Sequence, residues 1–144
     1  MKIVKVAFSI LLIPLMVFAG CDNKENNTED TIGLEGVVWI LELYGMPDNL
    51  KTVLTGTEIT AKFNSIDGYV TGSGGCNTYG GKYELSENKL TITDLQQTLI
   101  GCGEEKNQQE EEFLAVLKSA ENFQIDDGKL TINCSGAILI FRQE

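Results

Sequence analysis

A chain of 144 residues with 21 acidic side chains against 11 basic ones carries a formal charge of -10, and it contains no histidine. The missing imidazole excludes Ser-His-Asp and Cys-His catalysis and histidine-ligated zinc. The acidic balance repels nucleic acid phosphates, so no nucleic acid partner is expected.

Residues 1–20 read as a secretory leader. Lys2 and Lys5 give a positive start, the run from Val6 to Phe18 is apolar except for Ser9 and Pro14, and the small pair Ala19-Gly20 precedes Cys21. The run is short for a bilayer span, which takes about 20 apolar residues, and it has the layout of a signal peptide. Two small residues directly before a cysteine resemble the bacterial lipobox. That resemblance implies cleavage before Cys21 and acylation of its thiol, and so a lipid anchor in the cell envelope facing the periplasm. Loss of Lys2 and Lys5 with the leader takes the formal charge from -10 to -12.

Residues 21–33 begin with Cys21 and continue through Asp22-Asn23-Lys24-Glu25-Asn26-Asn27-Thr28-Glu29-Asp30, without an apolar residue or a period. Such a stretch cannot bury enough surface to offset the entropy of ordering it, and it is expected to be a disordered tether. Residues 34–144 have the size of one ordinary domain.

Along that domain Val37, Trp39, Leu41 and Leu43 alternate on one face, as do Ile59, Ala61 and Phe63, which predicts half-buried strands. Ser65-Ile66-Asp67-Gly68 and Ser86-Glu87-Asn88-Lys89 are turn signals between apolar runs, and Asp126-Asp127-Gly128 and Ser135-Gly136 repeat the pattern near the end. The run from Ala137 to Phe141 is apolar throughout, which suggests a strand covered on both faces, beneath a helix. One helix is predicted from about Asn107 to Ala120, with Phe113, Leu114, Leu117 and Ala120 at helical spacing, acids early and Lys118 late. Strands, one helix, then more hairpin strands predict an α+β domain: a strongly curved, partly open antiparallel barrel-like sheet with the helix packed against it.

Few residues offer chemistry. Gly75 to Lys82 has the glycines of a phosphate loop, but Gly81 and Lys82 are followed by Tyr83 where a Ser or Thr would hold magnesium, and the segment lies between strands. Glu104, Glu105 and Glu110 to Glu112 read as a solvated helix face rather than an acid and base pair. Asp126-Asp127-Gly128 lacks the spacing of a calcium loop. Asn77 is expected to bond neighbouring backbone in a tight turn, and Tyr79 and Tyr83 to pack. No cofactor, metal site or catalytic residue is expected.

The string from Gly72 through Gly75-Cys76-Asn77 and Gly81 to Tyr83, then Thr98 and Cys102, then Glu110 before Phe113 and Leu117, resembles the META domain. The likeness continues at Trp39-Ile40-Leu41, Leu130-Thr131-Ile132 and Phe141, and so spans nearly all of residues 34–144. Bacterial members include HslJ-type heat-inducible lipoproteins, and the resemblance implies a partly open antiparallel barrel with a helix, a stress-related role and no established reaction. It favours the outer membrane over the inner. It also implies a disulfide between Cys76 and Cys102, which an oxidising envelope permits; Cys134 leaves other pairings open, as are buried reduced thiols.

Three functions compete on this reading. A monomeric, non-enzymatic interaction or structural module, with an envelope protein as its partner, comes first, and a carrier or sensor of an apolar small molecule such as lipid, as in pilotins of similar fold, comes second. A carboxylate-dependent hydrolase is the remote third.

Overall fold

The computed structural model describes residues 33–144. The leader, Cys21 and the tether up to Thr31-Ile32 lie outside the described residues.

Alternation decides where the strands form. Ile59, Ala61 and Phe63 are fully buried while Thr60 and Lys62 between them are not, so this segment has one inward face. In chain order the elements are β1 (Val38–Met46), β2 (Asn49–Thr52), β3 (Thr60–Asn64), β4 (Tyr69–Ser73), β5 (Thr78–Ser86), β6 (Lys89–Gln97), α1 (Glu104–Lys118), β7 (Ala120–Asp126), β8 (Lys129–Cys134) and β9 (Ala137–Gln143). The sheet runs β2-β1-β3-β4-β5-β6-β7-β8-β9, and β9 pairs back onto β1. That last ladder closes an antiparallel barrel, with β2 as a flap on the edge of β1 beyond β3. Closure removes sheet edges that would otherwise invite aggregation.

The expected α+β architecture is therefore present, and its weak seam can be located. β6 and β7 share one ladder pair, Lys89 with Asn122, reinforced by the Phe123 N–H donating to the Asn88 carbonyl at 2.9 Å. The helix is inserted in the chain between these two strands and lies across one end of the barrel, reaching β6 and β9.

Side chains fill the interior. Trp39, Phe63, Phe113 and Phe141 are at 0% exposure, and each such burial is worth about 1.5–3 kcal/mol before ordering costs. Phe63 meets Tyr83 edge to face at 5.2 Å, and Phe113 of the helix meets Tyr79 at 5.6 Å. The Trp39 indole donates to the Leu34 carbonyl at 2.9 Å, which ties the start of the domain to its core.

Four details depart from the alternation in the sequence. A bulge between Leu41 and Leu43 shifts the register of β1 on β9, so Tyr44 rather than Leu43 turns inward; an inserted residue flips the face of everything after it. The strand β2 escapes the pattern because only Leu50 among its four residues is even half-buried. The helix starts at Glu104 and stops before Ser119, so Ala120 opens β7 instead of closing the helix face. In β9, Leu139 and Phe141 point inward while Ile138 and Ile140 are half-buried on the outside; they pair across to β1 and β8, and the helix borders the strand near Ala137.

Candidate functional site

The glycine-rich connection between β4 and β5 meets the first half of the helix, and the contact is polar. Asn77 and Glu110 are each about nine-tenths or more buried, at 4% and 3% exposure. The Asn77 backbone N–H donates to Glu110 Oε1 at 2.6 Å, and its Nδ2 donates to Glu110 Oε2 at 2.6 Å. The other half of the amide is used too: Asn77 Oδ1 accepts from the Ile100 N–H at 2.6 Å and from the Thr98 hydroxyl at 3.0 Å, and Nδ2 also reaches the Ile100 carbonyl at 3.2 Å. One asparagine thus joins the glycine-rich connection, the helix and the segment leading into the helix. Buried polar groups left unpaired are costly, so this network fixes one arrangement of the three.

The glycines follow from that arrangement. A Cβ on Gly74 would stand 2.4 Å from Glu110 Oε1 and 2.8 Å from its Cγ, so the carboxylate can reach Asn77 only past a residue without a side chain. Gly75, at φ 100, turns the chain into Cys76. A disulfide joins Cys76 to Cys102 just before the helix, and the Cys102 N–H donates to Asn107 Oδ1 at 3.2 Å.

Beside Glu110, Gln109 grips a second loop. Its Oε1 accepts from the Leu54 N–H at 2.6 Å and its Nε2 donates to the Thr57 hydroxyl at 3.0 Å. The connections 53–59 and 74–77 are therefore held by two consecutive residues of α1. Gly81 sits under β6, where a Cβ would come within 3.0 Å of the Thr93 carbonyl. Tyr79 donates to the Thr60 carbonyl at 2.8 Å and Tyr83 donates to Glu35 Oε1. Burial pushes both phenols above their ordinary range, with the Glu35 carboxylate adding to the rise at Tyr83.

Two sequence expectations are corrected here. Glu110 does not belong to the solvated face; Glu104, Glu105 and Glu111 do, while Glu110 turns under the glycine-rich connection. The Asn77 side chain bonds residues distant in sequence, and its backbone carbonyl serves its own turn, accepting from the Gly74 N–H at 2.7 Å. The sequence singles out neither Gln109 nor Thr57, and Gly74 only as part of the string that begins at Gly72. A signal existed for the helix pair: Gln109 and Glu110 stand four and three residues before Phe113, on the same stripe as the apolar positions.

Chemically the arrangement is a clamp. Both oxygens of Glu110 are engaged by Asn77, which leaves neither aimed at a reactant, and a proton-transfer role needs a group within reach of one. Glu112 is held below the usual carboxylate range by its bond to Lys51 at 2.7 Å on the surface. Among the described residues, Cys134 is the free thiol, buried and pushed up to about 12 by desolvation. A buried thiol of that kind is inert.

The sequence profile of the META domain matches residues 34–144. Comparison with curated proteins gave no match. Among solved structures, the solution structure of a protein from Burkholderia xenovorans is similar at a TM-score of 0.67 and 24% identity, covering 99% of each chain. A second solution structure aligns at TM-score 0.57 and 21% identity over 74% of this chain and 87% of its own. The crystal structure of a DUF4847 family protein from Bacteroides vulgatus aligns at 0.54 and 17% over 76% of this chain and 93% of its own. At these identities the likeness is one of fold.

Proposed function

The chain belongs to the META domain family, and from that premise we propose that it is a non-catalytic, monomeric lipoprotein of the cell envelope that works as a stress-related interaction module through the outside of its barrel. The observation that carries this reading is the filled interior: Trp39, Phe63, Phe113 and Phe141 meet in the core with no exposure. The residues of the family motif support it as well, because Asn77 and Glu110 satisfy one another. A packed scaffold recognises partners on its surface. The membrane anchor at Cys21, the periplasmic face and the preference for the outer membrane rest on the leader and on the family.

A lipid carrier is the second reading, and the single ladder pair between β6 and β7 is what favours it, since a barrel that parts anywhere parts at its shortest ladder. One experiment separates the two. The full chain is expressed in bacteria with its leader, membranes are fractionated, and the purified protein is weighed intact and under native conditions. The module reading expects one covalent diacylglycerol-type adduct, a Cys21→Ser variant released from membranes, and no further bound lipid. A second, non-covalent lipid held in the gas phase and lost on denaturation would instead establish the carrier, and an unmodified Cys21 would remove the anchor.

A further inference from the structure

Gly80 differs from its neighbouring glycines. A Cβ on Gly72 would lie 2.0 Å from the Thr60 carbonyl oxygen, and one on Gly81 would lie 3.0 Å from that of Thr93; the fold itself excludes side chains there. On Gly80 the nearest atoms would be Thr71 Cγ2 at 3.6 Å and the Val70 carbonyl at 3.7 Å, an ordinary contact, and its φ is not left-handed. Glycine weakens a strand interior by roughly 0.5–1 kcal/mol. The barrel thus carries a cost at Gly80 that its own packing does not require.

What the missing side chain leaves is a groove of about 540 Å³ on the outer face of β4, β5 and β6. Gly80 sits in its floor between Thr71 and Gln96 of the adjacent strands. Toward one end Tyr69, 39% exposed, stands opposite Lys82; toward the other, Thr78 and Thr98 are tied by a backbone bond of 3.1 Å. A bulge opposite Gly81 puts Asp94 at φ 52 and aims its carboxylate at Lys82, 3.0 Å away. A left-handed non-glycine residue and a bulge are both local costs, and both recur beside binding sites.

From the groove we infer that the outer face of β4–β6 is a binding site for a neutral saccharide. The volume falls within the range of small-ligand sites, about 300–1,000 Å³. Lys82 and Asp94 cancel each other's charge, and the acidic domain disfavours anions, so a neutral ligand fits better than a phosphate or an acidic one. Both edges of β5, the strand that floors the groove, are already paired, which leaves no free backbone ladder there for an extended peptide. Amide, hydroxyl and carboxylate groups spaced around a bare floor match vicinal hydroxyls, and the exposed Tyr69 offers aromatic surface to the C–H side of a sugar. This names a partner class for the outer surface of the barrel. It rests on the interaction-module reading only in placing recognition outside the core, and it holds whether or not Cys21 is acylated.

The test uses the full chain purified from membranes in a phosphocholine detergent, which avoids sugar headgroups. Saturation-transfer NMR is run with cellobiose, maltose and N,N′-diacetylchitobiose, and with trialanine and inorganic phosphate as competing classes. At least one disaccharide is expected to bind at millimolar strength, and Gly80→Leu is expected to weaken it about tenfold or more with a thermal midpoint equal to or above the parent's. Tyr69→Ala should weaken binding as well, and Tyr69→Phe should keep most of it. Absence of any disaccharide signal, binding only of trialanine or phosphate, or a Gly80→Leu protein that binds like the parent would each overturn the proposal. A Gly80→Leu protein that does not fold would overturn it too, because the glycine would then belong to the fold.

Discussion

The two ends of the barrel hold their chain reversals by different means. At the end away from the helix, the turns are short and local. The Asn64 and Asp67 side chains accept from the Ile66 and Tyr69 N–H groups two residues on, each at 3.1 Å, and Asp127 and Gly128 take left-handed φ values of 49 and 71. At the helix end the connections 53–59 and 98–103 are longer, 74–77 has the four residues of 65–68, and Gln109, Asn77 and Glu110 hold all three through partners 21 to 55 residues away. The first end is written in neighbouring residues, and the second exists only once the barrel and helix have met.

That difference is sharpest at Glu110. Truncation by Glu110→Ala removes both acceptors of Asn77 and leaves a gap under Gly74; it is expected to cost about 4 kcal/mol, measured by urea unfolding. Glu110→Gln should cost roughly half as much, because an amide offers one acceptor and turns a second donor toward Asn77. If both variants unfold with the parent, the clamp does not specify the helix end and the contrast between the ends fails.

Opening the disulfide comes next. Cys76 and Cys102 are 26 residues apart, and releasing a loop of that length frees the unfolded chain by about 3 kcal/mol. Reduction followed by unfolding should show that loss. Iodoacetamide labelling sharpens the measurement: at pH 8 the native reduced protein should take label at Cys76 and Cys102 but not at Cys134, whose thiol burial pushes up to about 12. Fast labelling of Cys134 before global unfolding would mean that the barrel opens near the end of β8.

These two effects bear on what was legible in the sequence. The hairpins at Ser65 to Gly68, Glu87-Asn88 and Asp127-Gly128 could be read because turn chemistry sits inside four residues. The barrel class followed from their order. The partners of the clamp could not be read, since a glutamate within a run of acids shows that it faces inward only through the stripe it shares with Phe113 and Leu117, and that stripe does not say what it meets. The bulge in β1 was hidden for a related reason. Leu43 continues the alternation of Trp39 and Leu41, and the register shift that turns Tyr44 inward depends on β9, nearly a hundred residues later. The groove around Gly80 was the least visible, because it takes the structure to tell a glycine the fold requires from one it does not.

At the hairpin end a single substitution sets the scale for local turns. Gly128→Ala places a Cβ in a left-handed conformation with open space around it, so only backbone strain contributes, about 1 kcal/mol. Thermal unfolding should show a shift of a few degrees at most. A loss as large as that of Glu110→Ala would erase the distinction between the two ends.

The smallest effect tests the helix end from its outer side. Lys51 on the β2 flap donates to Glu112 of the helix at 2.7 Å, and the two side chains reach water at 50% and 33% exposure. The bond lowers the Glu112 carboxyl below its ordinary range. A carboxyl so lowered contributes stability that is complete above its unfolded value and is lost as pH falls through its folded one, hence in the acid range below the usual carboxylate titration. Solvent and salt screen an exposed pair, so the loss should be slight and should shrink further at high ionic strength. A Lys51→Met variant is expected to flatten only that acid limb of the stability curve and to leave neutral pH nearly untouched. If it instead destabilises the protein at neutral pH as much as Glu110→Ala does, the flap and not the buried clamp is what seats the helix on the barrel.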